Sequence, residues 1–168
     1  MTAIHAFFPQ LLIAFHSVDD ASDMEAYINR IRESGRAVRQ LIDQSKRSAT
    51  EGVRPPRFAF DAVIDESTKI VTGAPFDESG TDSAVWADIK TEVAALVKKG
   101  TIDQARADAM LAEASAALTG PFKDAYLELI AWQKQDRANA PETSFGVGAL
   151  PNGAAYYDER IANATTTT

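Results

Sequence analysis

The sequence predicts an all-α fold, a multi-helix up-and-down array or bundle of about six helices with little or no strand. Three observations carry this expectation. Apolar residues recur at helical spacing over long stretches, above all from Met24 to Ile42. Helix-start and helix-stop signals punctuate the chain, and the segments between them are short. No run of four or more residues reads as a strand, and no internal repeat is present.

The first helix is expected from about Pro9, because a first turn has no use for the N–H that proline lacks. It would bury Leu11, Leu12 and Phe15, and the acidic stretch SVDDASD would end it. Ser22 and Glu25 have the S-x-x-E spacing of a capping box and would start the second helix. Its inward face would carry Met24, Tyr27, Ile28, Ile31, Val38, Leu41 and Ile42, with Gly52 as the stop and Pro55 and Pro56 beyond. A third helix would begin at those prolines, turn Phe58, Ala62, Val63 and Ile70 inward, and end at Gly73. A polar loop, APFDESGTDS, would follow.

A fourth helix would start at Ser83 and bury Trp86, Ile89, Val93, Leu96 and Val97. Lys98, Lys99 and Gly100 form its C-terminal signature, cations on the negative end of the dipole and then glycine. Thr101 and Gln104 would cap the fifth, whose stripe would be Ile102, Ala105, Ala109, Ala112 and Ala116. Gly120-Pro121 would break or kink the chain there. The sixth helix would present Phe122, Ala125, Tyr126, Leu129, Ile130 and Trp132 and end near Ala140-Pro141. The stretch Gly146–Leu150 could pair as a short strand with something outside this chain. LPNG places Pro151 and Asn152 at the centre of a turn, and AAYYDERIANA then reads as a short helix.

Composition narrows the function classes. At 168 residues and 45% apolar, the chain fits one helical domain with a real core. A net charge of −7 argues against nucleic acid and against anionic membrane surfaces as partners. The absence of cysteine excludes disulfides, thiolate zinc sites and cysteine nucleophiles. The apolar start MTAIHAFFPQLLIAF has no basic leader and no cleavage signal, and it is too short to span a bilayer. With no signal peptide or transmembrane segment, the cytoplasm is the favoured compartment.

Chemistry-bearing residues are sparse. His5 and His16 share a helical face about three turns apart, too far for one metal, and read as structural. Asp61 and Asp65 at i, i+4 could share a helix face and raise one pKa for acid–base work, although acidic chains supply such pairs by chance. Neither a phosphate-binding glycine loop nor a nucleophile elbow is present. The paired tyrosines Tyr156 and Tyr157 suit core anchors with a hydrogen-bonded hydroxyl, or the wall of a ligand cleft.

The stretch GALPNGAAYYDERIANATTT resembles a signature of the bacterial domain-of-unknown-function family 885: a Leu-Pro-x-Gly turn, a tyrosine close behind, and a threonine run. The segments FPQLLIAFHSVDDASDMEAYINRI, EGVRPPRFAFDAVID and GPFKDAYLELIAWQKQDRA are similar to the same family in the same order. Two departures stand out. Pro121 stands four residues before Ala125-Tyr126, and Ala164 occupies a place where relatives often carry histidine or another large residue.

The resemblance implies a fragment of a longer helical protein of zinc-metallopeptidase type. Its zinc and its catalytic residues, a His-Glu pair with a further histidine, would lie downstream of the threonines. The run ATTTT would then be the N-cap of the next helix. Residues 1–168 would form a single helical domain with no catalytic residue and no metal ligand of its own. It would contribute scaffold and part of the substrate-cleft wall, with Asn152, Gly153, Tyr156 and Tyr157 nearest a peptide substrate. Its partner would be the remainder of the parent protein, or a second copy, since faces built to pack on absent neighbours would stay exposed as an apolar patch. The alternative is a free-standing helical protein-interaction module without enzymatic activity.

Overall fold

The computed structural model describes residues 4–143 and 146–165. In chain order come α1 (Ile4–Phe15), α2 (Ala21–Thr50), α3 (Arg57–Ile70), α4 (Ala84–Lys99) and α5 (Gln104–Ala117). A π-turn (Leu118–Phe122) leads into α6 (Lys123–Asp136), two short 3-10 turns follow at Arg137–Asn139 and Val147–Ala149, and α7 spans Gly153–Thr165. The fold is all-α: α1 to α6 form a bundle, and among the described residues the β content is an isolated bridge between Ala74 and Asp82.

Helix α2 is the spine. At 30 residues it runs about 45 Å, and α1, α4, α5, the π-turn and α6 all pack along it. The expected face is the observed one: Met24, Tyr27, Ile28, Ile31, Val38 and Ile42 are buried, with Leu41 at the edge. Halfway along, Gly35 lies against the π-turn. A Cβ there would sit 2.5 Å from the Pro121 carbonyl oxygen, so only glycine lets the two backbones meet. The expected break at Gly120-Pro121 is this π-turn, where Gly120 leaves helical geometry at φ −96°, ψ −109°. Phe122, Ala125, Tyr126 and Leu129 then enter the core from α6. Polar contacts fix the same crossing: Arg39 donates to both Glu128 oxygens, and the Trp132 indole N–H donates to Ser45 Oγ at 2.9 Å.

The first helix differs from expectation. It begins at Ile4, so Pro9 lies inside it, and of Leu11, Leu12 and Phe15 only Leu12 is buried. An internal proline leaves the carbonyl one turn back without its helical donor. Here that carbonyl belongs to His5, and the buried Tyr126 hydroxyl donates to it at 2.6 Å. A tertiary hydrogen bond thus replaces the missing local one.

Two caps also move. Asp20, not Ser22, caps α2: its carboxylate accepts from the Ser22 and Asp23 N–H groups, and Asp23 reciprocates toward the Asp20 N–H. Asp103, not Thr101, caps α5 by accepting from the Arg106 N–H at 2.8 Å. In both places a carboxylate stands within two residues of the expected hydroxyl, and the positive end of the helix dipole favours the charge.

Two helices present a different face from the one expected. In α3 Phe60 and Ser67 are buried, Val63 and Ile70 are half-buried, and Phe58 and Ala62 are exposed. Phe58 and Phe60 point to nearly opposite sides of a helix, and packing on α6 selects Phe60. In α5 the inward residues are Ala107, Met110, Ala114 and Ala117, while Ala105, Ala109, Ala112 and Ala116 face out. Alanines occupy nearly every register of α5, so its face is chosen by the larger Met110 and Leu118. The fourth helix largely agrees with expectation: Ser83 caps it, Ile89, Val93 and Leu96 are buried, and Gly100 ends it at φ +72°, but Trp86 and Val97 are only half-buried and Val85 is buried with the core.

Gly35→Ala is expected to destabilise the fold by about 1–2 kcal/mol, read as a lower urea midpoint. The clash against a backbone carbonyl that cannot turn aside lies toward the upper end of the usual range, about 2–3 kcal/mol, and outweighs the roughly 1 kcal/mol gain in helix propensity. Unchanged or raised stability would refute the close approach.

A second test uses pH. Burial lowers the His5 pKa from 6.5, and Glu66 opposes the shift more weakly. The folded state therefore binds this proton less readily than the unfolded chain. The contribution is full above about pH 6.5 and is lost as pH falls toward the folded value, at no more than about 1.4 kcal/mol per pH unit. The lowered carboxylates Asp20, Asp61, Asp77 and Asp136 act only at lower pH. The urea midpoint should fall between pH 7.5 and 5.5, and His5→Gln should flatten that slope. A midpoint that rises on acidification would mean that Glu66 outweighs burial.

Candidate functional site

The LPNG segment folds as a turn. Gly153 N–H donates to the Leu150 carbonyl at 2.9 Å, and Asn152 takes φ +62°, which asparagine tolerates better than most residues. Gly153 is buried at the start of α7. A Cβ there would stand 2.8 Å from Gly148 Cα and well inside contact distance of the Val147 carbonyl oxygen. The 3-10 turn Val147–Ala149 therefore packs directly on the first turn of α7. It also replaces the strand expected at Gly146–Leu150: Gly146 turns the chain at φ +66°, and Leu150 N–H donates to the Val147 carbonyl.

Beyond Gly153, every described residue of α7 is exposed. Tyr156 and Tyr157 are half-exposed, with ring centroids 6.3 Å apart in an edge-to-face pair. Neither is a core anchor. Thr165 closes the helix, its hydroxyl donating to the Ile161 carbonyl at 2.6 Å. Of the run ATTTT expected to cap a following helix, Ala164 and Thr165 lie inside α7, and Thr166–Thr168 fall outside the described residues.

A cleft of about 640 Å³ opens beside this turn, between loop 52–56 on one side and residues 139–141 and 146–150 on the other. Its walls are mainly apolar, with Val53, Pro55 and Pro56 facing Pro141, Val147 and Leu150. Asn152, Gly153, Tyr156 and Tyr157 follow Leu150 in the chain and are not part of the lining. Asn152 and Gly153 thus form the turn, and Tyr156 and Tyr157 lie in the first turns of α7 that it launches.

Arg54 and Asn139 supply polar groups to the cleft. Arg54 donates through Nε and Nη2 to the buried Asp136 carboxylate at 2.9–3.0 Å, and Asn139 adds a bond at 3.2 Å. Arg54, then Asn139, hold the Asp136 carboxyl below the usual carboxylate range against the opposing effect of burial. The adjacent wall is stitched the same way: Arg57 pairs with Glu142, and Arg57 N–H donates to the Pro141 carbonyl at 2.9 Å. These residues were missed from the sequence. One signal was available: Asp136 ends α6, where the dipole disfavours a carboxylate unless a cation is near.

The paired-carboxylate site fails. Asp61 pairs with Arg137 and Asp65 with Lys69, so the two engage separate cations. The Arg137 hydrogen bonds hold the Asp61 carboxyl below its usual range, opposite to what a general acid needs.

Zinc does not fit the described side chains either. His5 Nε2 lies 3.4 Å from Glu66, which makes two potential ligands. His16 lies past the end of α1, where its Nε2–H donates to the Asp23 carbonyl and Arg30 contacts Nδ1. Among the described residues no group of three or more histidines and carboxylates could hold a metal ion. No described helix is long and apolar enough to cross a membrane.

The model of a family described as bacterial protein of unknown function (DUF885) matches residues 1–168, and the chain belongs to that family. No curated protein and no solved structure matches it.

Arg54→Ala should lower stability by about 3 kcal/mol in urea titration, because it strands a buried carboxylate. Arg54→Lys should recover only part, since ammonium cannot form the two-pronged bond. If both variants matched the parent chain, the pair would be peripheral to the fold.

Proposed function

We propose that this chain is a non-catalytic helical segment of a zinc-dependent peptidase-like protein, acting as scaffold and as part of the substrate-cleft wall. The observation that supports the reading is an apolar cleft of about 640 Å³ lined by Val147, Ala149 and Leu150 among others, followed in the chain by a turn packed at Gly153 and by the half-exposed Tyr156 and Tyr157. Aromatic side chains held at a cleft mouth suit an extended peptide, whose apolar side chains stack on them. Asn152 and Gly153 shape the turn, and Tyr156 and Tyr157 make the contact. Zinc, its ligands and the base that activates water belong to the remainder of the parent protein, which is the partner of α7.

The same bundle supports a second reading as a free-standing interaction module. It is favoured by the continuous core that α1 to α6 build without α7. The two readings diverge in experiment. In the longer parent protein, Tyr157→Ala should raise KM for a peptide about tenfold while leaving zinc content and kcat nearly unchanged, the signature of lost ground-state binding. The isolated chain should hydrolyse no peptide and hold no stoichiometric zinc. An unaltered KM in the parent would favour the interaction module, and hydrolysis or bound zinc in the isolated chain would overturn both.

A further inference from the structure

The polar residues of the cleft beside loop 52–56 are organised by one buried carboxylate. Arg54 spends Nε and Nη2 on Asp136, Asn139 spends Nδ2 on it, and Arg54 Nη2 and Asn139 Nδ2 reach the same oxygen, Oδ1. A carboxylate only accepts, so the Asn139 amide turns its NH2 toward Asp136 and its own oxygen away. Arg54 Nη1 makes no hydrogen bond within the chain and stays open to solvent. Asn139 is exposed, and its Oδ1 makes no hydrogen bond either. One donor and one acceptor are therefore left over, on two residues that both line the cleft. Each is held in place by Asp136, whose side chain is only 5% exposed.

We propose that Arg54 and Asn139 form a subsite for the backbone of one residue of an extended peptide, its C=O accepting from Arg54 Nη1 and its N–H donating to Asn139 Oδ1. The inference rests on the reading of this cleft as part of a peptide-binding wall, and it names what the wall recognises. In an extended chain the N–H and C=O of one residue point to the same side, as they do where two strands exchange both bonds. The subsite offers the complement of that pair, so neither backbone group is left unpaired when water is displaced. Arg54 is already fixed by Asp136, so binding orders no further part of that long side chain. Charge selects against a free carboxylate. Asp136 already neutralises Arg54, and a carboxylate would set its oxygens against the Asn139 oxygen, since both only accept. The walls select the side chain carried there: Val53 and Pro55 stand on one side and Val147 and Leu150 on the other, which suits an aliphatic residue.

N-acetyl-leucine methylamide is the minimal probe. Titrated into the isotopically labelled chain, it should bind with a Kd on the order of 1 mM, ordinary for a ligand of its size, and shift the Arg54 Nε–H resonance. N-acetyl-leucine, which ends in a carboxylate, should bind at least about tenfold more weakly. The depsipeptide analogue, with an ester oxygen in place of the leucine N–H, should lose about as much, because Asn139 Oδ1 is then left unpaired. Asn139→Ala should keep its circular dichroism spectrum and erase the preference for the amide over the depsipeptide, a readout that a merely structural Asn139 would not move. Leu150→Glu should abolish binding. The subsite is overturned if the methylamide shows no saturable binding, if the acid binds equally well, or if the amide preference survives Asn139→Ala. Failure here is distinct from failure of the peptidase reading. A raised KM in the Tyr157→Ala parent, beside a chain blind to the methylamide, would remove the subsite and keep that reading. A bound methylamide with an unaltered parent KM would keep the subsite and assign it to the interaction module.

Discussion

The bundle depends on one close approach of backbone to backbone. Gly35 lies midway along α2, and the Pro121 carbonyl rests where any side chain would stand. That contact lets the π-turn sink against the spine, and the turn re-aims the chain from α5 into α6. Phe122 and Tyr126 follow it into the core, their rings tilted together at 4.7 Å. Tyr126 then reaches the His5 carbonyl that Pro9 leaves without a helical donor. A missing Cβ on one helix therefore bears on how a different helix tolerates its proline. The links are van der Waals contacts and one hydrogen bond, each small alone, and close packing makes them interdependent.

Electrostatics organise the outer layer. The chain is acidic, yet the carboxylates facing α3 and α6 have cations of their own: Asp136 has Arg54, Asp61 has Arg137, and Glu142 has Arg57. Together they fasten loop 52–56 and α3 to the end of α6 and form the rigid side of the cleft. The C-terminal helix is attached differently. Helix α7 is attached through a turn in which Gly153 permits contact with Val147 and Gly148, and its tyrosines project from it half-exposed. A helix of 13 residues draws little stability from its own hydrogen bonds, so the packing of Gly153 on Val147 and Gly148 is what holds its start in place.

Legibility in the sequence followed the strength of local signals. The α2 face was readable because seven large apolar residues keep helical register and few compete with them. The Ser83 and Gly100 caps were readable because each interaction lies within one turn of chain. The α5 face was not, because alanine in every register carries no direction. Phe58 and Phe60 posed the same problem for α3, with two equal side chains on opposite sides and only α6 to choose between them. At the rim, the turn geometry at Asn152 and Gly153 was legible, since Leu-Pro-Asn-Gly specifies it locally. The wall opposite was hidden, because Arg54 and Asp136 are 82 residues apart and meet only in the folded chain.

Taken alone, the sequence determined the fold class, the order of the six bundle helices, the break at Gly120-Pro121 and the turn that launches α7. All of these are set by interactions within a few residues, where spacing and residue type are sufficient. Tertiary structure decided which face α3 and α5 bury, why α1 continues through Pro9, which acids are tied to which cations, and that Tyr156 and Tyr157 stay outside the core. Those outcomes depend on groups distant in sequence competing for the same space or the same hydrogen bond, and the competition is resolved only when the helices pack.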